Sequence, residues 1–396
     1  MRLKTFSNDD ISGKRVLVRV DFNVPLSQDG RVADATRIRA HMPLIGQLIS
    51  AGAKVSLCSH LGRPKGQVVL KYSLKSVADE LGRLFGRKIL FAEDCVGEGV
   101  RGMVESMPHG DILLLENLRF YPDEEKNEDD FARRLASPFE VFVMDAFSAA
   151  HRAHASTRAI TDHLDSYAGP LLIREVETLS EVRDNPKRPF VLVLGGAKVS
   201  DKIGVIENML DKTDTIIIGG GMAFTFMKAK GLEIGRSLCE DDRLDFAGSM
   251  LDKARERGVS ILLPEDVIVA DEISPCALSS TVSGDAIPAD KIGLDIGPKS
   301  EGIFKEALAS AKTVLWNGPM GVFEMTPFAG GTKAIAEELA RITKGGSLTV
   351  IGGGDSAAAI SRFGFEKDVT HVSTGGGASL EFFEGRMLPG VEPYVI

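Results

Sequence analysis

The sequence predicts an α/β fold of two doubly wound, parallel-sheet (Rossmann-like) domains joined by a helix. Three observations carry that expectation. Short continuous apolar runs recur along the 396 residues, each followed by a helical stretch, and such runs read as parallel strands buried on both faces by helices. Nearly every run ends in a polar or glycine-rich cluster, the position where open α/β sheets bind ligands. The runs fall into two sets of about five, whereas a single open sheet of ten strands is unusual.

In the first half the runs are Val16–Val20, Val55–Cys58, Ile89–Phe91, Ile112–Leu115 and Val141–Met144. The first leads into Arg19–Pro25, where Asp21 and Asn23, two apart, lie on one side of an extended chain and Pro25 ends the strand. Arg37 follows in ATRIRA. His60 and Arg63 come in SHLGRP after the second run, Arg119 after the fourth, and Asp145 then His151, Arg152 and His154 after the fifth. A lone loop arginine is ordinarily a solvated surface charge. Arginines and histidines past several successive strand ends instead converge on one crevice, and guanidinium groups bind carboxylate and phosphate in bidentate fashion. The ligand expected is small and carries both groups, with Asp21 and Asn23 available to a hydroxyl. His151 and His154 lack carboxylate or cysteine partners at ligand spacing, so the pair does not read as a zinc site.

Between the halves, LLIREVETLSEVRDNP places Leu172, Val176, Leu179 and Val182 at helical spacing and stops at Asn185-Pro186. That pattern fits an interdomain hinge helix and an ordinary crossover helix alike.

The second set of runs is Phe190–Leu194, Thr215–Ile218, Ile261–Leu263, Thr313–Trp316 and Leu348–Ile351, with a short run at His371–Ser373. Here the strand ends carry glycines: Gly195-Gly196, Gly219-Gly220-Gly221, Asn317-Gly318-Pro319, Gly352-Gly353-Gly354 and Gly375-Gly376-Gly377. At a strand-to-helix turn, glycine lets a phosphate approach free N–H groups and the positive end of a helix dipole. GGGDSAAAI offers Asp355 either as a helix cap or as a ligand for Mg²⁺. GGAKVSDKI reads as another helix start, with Lys198 and Lys202 four apart on one face and favouring an anion between them.

Composition and motifs exclude other classes. The net charge of −9 argues against general nucleic-acid binding. No run approaches the roughly 18 apolar residues of a membrane span, and the opening MRLKTFSNDD has no apolar core, so neither a membrane partner nor a secretory signal is expected. Four scattered cysteines suit a reducing cytoplasm. There is no GxxxxGK[ST] and no GxSxG; Gly97–Gly102 matches GxGxxG but lacks the acidic residue about twenty positions on that ribose binding needs.

RVDFNVP, SHLGRP, LENLRF, DAF..AHRAH, GGAKVSDKI, GGGMAFTF, WNGPMGVFE, GGGDS and STGGGASLE, in this order from residue 15 to 381, resemble the phosphoglycerate kinase family. The resemblance implies an N-terminal domain for 3-phosphoglycerate, residues 1–170 with the returning segment 380–396, a hinge helix at 171–186, and a nucleotide domain at 187–379. By motif, Asp21, Asn23, Arg37, His60, Arg63, Arg119 and Arg152 would bind 3-phosphoglycerate or 1,3-bisphosphoglycerate. Gly196, Ala197, Lys202, Gly220, Gly293, Asn317, Glu324, Gly353, Gly354, Asp355 and Ser356 would serve ATP or ADP, with Glu324 on the ribose and Asp355 on Mg²⁺. Arg37, Lys198, Gly376 and Gly377 would stabilise the moving phosphoryl group. The implied enzyme is a cytoplasmic monomer. One departure stands out: Ser148-Ala149 replaces the Gly-Thr of many members, which bears on that loop's geometry. Another small-acid kinase, or a nucleotide-responsive scaffold, would share the fold; acceptor scope separates the first and intact site residues argue against the second.

Overall fold

A computed structural model describes all 396 residues, in two compact units: Met1–Glu177 with Met387–Ile396, and Thr178–Arg386. The return to the first unit thus begins at Met387, seven residues after the expected 380. The segment after Gly169 is one helix, Pro170–Asp184, opened by a proline and ended before Asn185-Pro186. The unit boundary falls inside it.

The first unit is built on six strands: β1 (Arg15–Arg19), β2 (Lys54–Cys58), β3 (Leu90–Phe91), β4 (Ile112–Leu114), β5 (Val141–Met144) and β6 (Asp165–Ala168). They lie in the order β3-β4-β2-β1-β5-β6, all parallel. Val16, Val18, Val55, Leu57 and Val143 are fully buried in its core with Leu44, Ile45 and Leu48 of the helix Thr36–Ser50; each such side chain contributes about 1.5–3 kcal/mol. The chain winds to one side of β1 through β4 and to the other from β5. That reversal is the switch point where ligands bind in open α/β sheets. Pairing of Arg19 with both Cys58 and Met144 makes the segments after β1, β2 and β5 leave the sheet at one level.

The second unit repeats the plan with β7 (Phe190–Leu194), β8 (Thr215–Ile218), β9 (Ser260–Leu262), β13 (Thr313–Asn317), β14 (Leu348–Gly352) and β15 (His371–Val372), in the order β15-β14-β13-β7-β8-β9, again parallel. Its switch point lies between β7 and β13. Asn317 pairs with Leu194 and Gly352, so three glycine turns emerge side by side. Between β9 and β13 stands a separate antiparallel sheet of β10 (Asp266–Ala270), β11 (Ser279–Ser283) and β12 (Ile292–Ile296).

The first parallel sheet has six strands where five runs were expected, the second has its five runs with the short run at His371–Ser373 as the sixth strand, and the small sheet was not expected at all. β6 is an edge strand of sequence DSYA and β11 reads SSTVS and is mostly exposed, so neither shows the apolar run of a buried strand.

Candidate active site

In the first unit the carboxyl ends of β1, β2, β4 and β5 assemble a cationic crevice. Asp21, just past β1, is nearly buried and its carboxylate is fully engaged on one side. Oδ2 accepts from Arg37 Nη1 at 2.5 Å and from Ser148 Oγ at 2.6 Å, while Oδ1 accepts the Asn23 backbone N–H at 3.2 Å. Asn23 Oδ1 takes the Gly62 N–H at 2.9 Å, so its side chain ties the first loop to the second. Arg37 stands in the first turn of Thr36–Ser50 with its side chain partly exposed.

His60 is buried, and Arg19 Nη2 lies 3.1 Å from its Nδ1. A guanidinium can only donate, so Nδ1 accepts and Nε2 carries the proton. Burial first, then the charges of Arg19, Arg119 and Arg152, hold its pKa well below the usual histidine value. Arg119 is 3% exposed, donates to the Gly62 carbonyl at 3.1 Å, and meets Glu125 at 3.4 Å. Burial, then Arg19, lowers its pKa to about 10. The charge of Arg152 helps lower the pKa of His60, Arg119, His151 and His154 alike. Arg63 is exposed.

Two buried residues support this crevice without having been expected from the sequence. Arg19, at the end of β1, donates from Nε to Ser156 Oγ at 3.0 Å, and Ser156 donates to the fully buried Glu124 from both Oγ and N–H. Burial pushes the Glu124 carboxyl up, against the pull of Arg19 and two Ser156 hydrogen bonds. Arg19 shows in the sequence only as a polar strand end, and Glu124 sits in the acidic run PDEEKNEDD, which reads as solvated surface.

In the second unit the glycine turns line two adjoining clefts. One, of 460 Å³, is largely apolar and includes Gly196, Ala197, Gly220, Gly293, Glu324 and Asp355; the other, of 660 Å³, includes Lys198, Lys202, Asn317, Gly353, Ser356 and Gly376. Gly196, Ala197 and Asp355 border both. Gly354 and Gly377 also face the second cleft. Glu324 and Asp355 are exposed, and Asp355 stands in the first turn of the helix Gly354–Arg362. Gly220 has φ +64° and a Cβ there would come within 2.6 Å of the Gly196 nitrogen; Gly318, at φ +100°, would meet the Gly195 carbonyl at 2.2 Å. Only glycine fits either place.

Lys198 and Lys202 do not share a helical face. The helix begins at Ile203; Lys198 is exposed before it, while Lys202 is buried with its Nζ donating to Asn317 Oδ1. Long-range partners hold the intervening chain out of a helix. Gly195 and Gly196 donate their N–H groups to Asn317 and Pro319, and Ser200 donates N–H and Oγ–H to Glu240. Burial lowers the Lys202 pKa, while Asp201, Asp355 and Glu384 act against that.

Two doubly wound units, one with a cationic crevice and one with phosphate-turn clefts, define a two-unit α/β phosphotransferase. A profile of the phosphoglycerate kinase family matches residues 6–386. The phosphoglycerate kinase of Chloroherpeton thalassium is 55% identical over 392 residues, covering 99% of this chain and 98% of that protein. That of Nostoc punctiforme is 54% identical over 390 residues, covering 98% and 97%. The structure of phosphoglycerate kinase from Coxiella burnetii superposes with a TM-score of 0.90 at 41% identity, covering 99% of this chain and 98% of that one. The chain belongs to the phosphoglycerate kinase family. It is a kinase whose acceptor is a carboxyl group.

Proposed function

We propose that this chain transfers a phosphoryl group directly and reversibly between 1,3-bisphosphoglycerate and ADP, the acceptor held on the first unit and the nucleotide on the second. The observation that carries this reading is the division of chemistry between the units: cations around Asp21 in one, glycine turns beside Lys202 and Asp355 in the other. His60, Arg63, Arg119 and Arg152 receive the carboxylate and phosphate of 3-phosphoglycerate, while Asp21 and Asn23 take its hydroxyl. The apolar cleft takes the adenosine, with Gly293 against the base and Glu324 at the ribose. Lys202 and the Gly353–Ser356 turn hold the phosphates.

No covalent enzyme intermediate is required, because phosphoryl transfer needs positioning and charge stabilisation. Arg37 from one unit and Lys198 from the other supply that charge, and the N–H groups at Gly376 and Gly377 add to it. The half-sites belong to different units, so both must come together over the reacting groups and shut out water, with the helix Pro170–Asp184 as hinge. Scattering that shows compaction only with both substrates bound supports closure, and none with both bound removes it.

The donors suit Mg²⁺. No group of three His, Cys, Asp or Glu side chains could hold a metal alone, and Mg²⁺ is ordinarily held by one or two carboxylates plus substrate phosphates. The exposed Asp355 carboxylate at the junction of the clefts is that ligand, and the ion would neutralise charge on the nucleotide phosphates. No helix is long and apolar enough to cross a membrane. Four unpaired cysteines support a reducing cytoplasm, and the family resemblance supports a monomer without nucleic-acid partners.

The test is a coupled assay with 3-phosphoglycerate, MgATP, glyceraldehyde-3-phosphate dehydrogenase and NADH. NADH loss that needs 3-phosphoglycerate, ATP and Mg²⁺ together supports the reading. Protein that binds MgADP yet leaves NADH untouched overturns the acceptor assignment.

A further inference from the structure

Ser148 follows β5 in a short turn, Phe147–Ala149, and is partly open to solvent while its neighbours Phe147 and Ala149 are buried. Its hydroxyl donates to the Asp21 carboxylate at 2.6 Å. A carboxylate offers about four lone-pair sites. On Asp21, Arg37 and Ser148 fill both sites of Oδ2, and the Asn23 N–H fills one of Oδ1. One site on Oδ1 remains.

We propose that Ser148 is a specificity-determining residue of the acceptor crevice: by closing the second site of Asp21 Oδ2 it leaves a single directed acceptor for the hydroxyl next to the substrate's carboxyl group. This rests on the reading of Asp21 as the partner of that hydroxyl. Arg37 alone cannot do the same work, because one guanidinium N–H leaves the second Oδ2 site to water. A carboxylate with two open sites on different oxygens accepts a hydroxyl in two directions and is solvated equally well without one. With one open site, an acceptor lacking the hydroxyl leaves a nearly buried lone pair unpaired, which the hydroxyl-bearing acid satisfies. Ser148 therefore raises discrimination for 2-hydroxy acids over their deoxy counterparts.

The experiment compares kcat/KM for 3-phosphoglycerate with that for 3-phosphonooxypropionate, the same acid without the hydroxyl, in the parent enzyme, Ser148→Ala and Ser148→Gly. The parent is expected to prefer 3-phosphoglycerate. Both variants should lower that preference on the order of tenfold, the effect of one hydrogen bond to a charged group. The loss should lie in KM for 3-phosphoglycerate, with KM for MgATP unmoved. A preference that Ser148→Ala leaves intact overturns the assignment of Ser148 whatever Ser148→Gly does. A parent enzyme that treats the two acids alike overturns instead the reading of Asp21 on which the proposal stands.

Discussion

Arg37 has two partners in prospect. In the structure it pairs with Asp21, a charge-assisted bond in which the carboxylate is almost buried and the guanidinium partly exposed. In the proposed reaction its remaining N–H groups face charge that develops only in transfer. Removing one such donor typically costs a factor of about 10² or more in turnover, so Arg37→Ala should lower kcat by that factor in the coupled assay, and near-parental turnover removes Arg37 from the catalytic role. Asp355 is the converse case, an exposed carboxylate with no structural duty comparable to the pair at Asp21. Asp355→Ala should weaken MgADP binding in calorimetric titration far more than 3-phosphoglycerate binding, and an equal loss of both indicates general damage. Lys202 differs from each: its Nζ is buried against Asn317, so truncating it strands a buried amide as well as removing a charge.

At the scale of elements, one residue fastens the start of the connecting helix to the acceptor crevice. Asp145, just past β5, accepts the Leu171 N–H on Oδ1 at 2.8 Å and pairs with His41 Nδ1 on Oδ2 at 2.8 Å. His41 Nε2 in turn accepts the Asp21 N–H at 3.0 Å, which fixes the proton on Nδ1. All three side chains are buried. Asp145→Ala leaves the buried His41 Nδ1–H unpaired at about 1–3 kcal/mol and frees the partly buried Leu171 N–H as well. The urea midpoint should therefore fall and KM for 3-phosphoglycerate rise together, whereas a fall in the midpoint alone would separate Asp145 from the crevice. Little of this chain of contacts is visible in sequence, because Asp21, His41, Asp145 and Leu171 are far apart and meet only through sheet register. What was legible followed from short-range physics. The short, mostly apolar runs of β1, β2, β4, β5, β7, β13 and β14 read as buried strands, and His60, Arg119 and Arg152 fall in the loops that follow β2, β4 and β5. Of the small sheet, only β11 lacks a signal, being the polar and mostly exposed SSTVS, whereas β10 (DVIVA) and β12 (IGLDI) are largely buried and carry short apolar stretches. Spacing alone puts Lys198 and Lys202 on one helix, because it cannot register that Asn317, Pro319 and Glu240 hold that turn.

For the whole molecule, buried titratable groups divide by unit, and with opposite signs. In the first unit burial lowers the pKa of His60 well below its usual value, that of His151 to about 4 and that of His154 to about 3, with neighbouring arginines adding to each. A histidine with a depressed folded pKa binds fewer protons folded than unfolded. Its unit loses stability as pH falls below about 6.5, by up to about 1.4 kcal/mol per pH unit and histidine. Glu124 is pushed upward and opposes this, one group against three. In the second unit burial raises Asp295 to about 7, against backbone N–H bonds from Gly331 and Ile296. A raised carboxyl is protonated in the fold where the unfolded chain is ionised, so its stabilisation is present below about 4 and fades as pH rises to 7. Acidification from pH 7 to 5 thus weakens the first unit and strengthens the second through these groups. The single tryptophan, Trp316, is buried in β13 and reports the second unit alone, while far-ultraviolet circular dichroism reports both. In urea at pH 5, ellipticity should begin to fall before Trp316 fluorescence changes, and the gap between the two transitions should narrow at pH 7. Coincident transitions at both values would mean that the units unfold as one. A fluorescence transition that moves to lower urea on acidification would mean that the Asp295 carboxyl is already ionised in the fold.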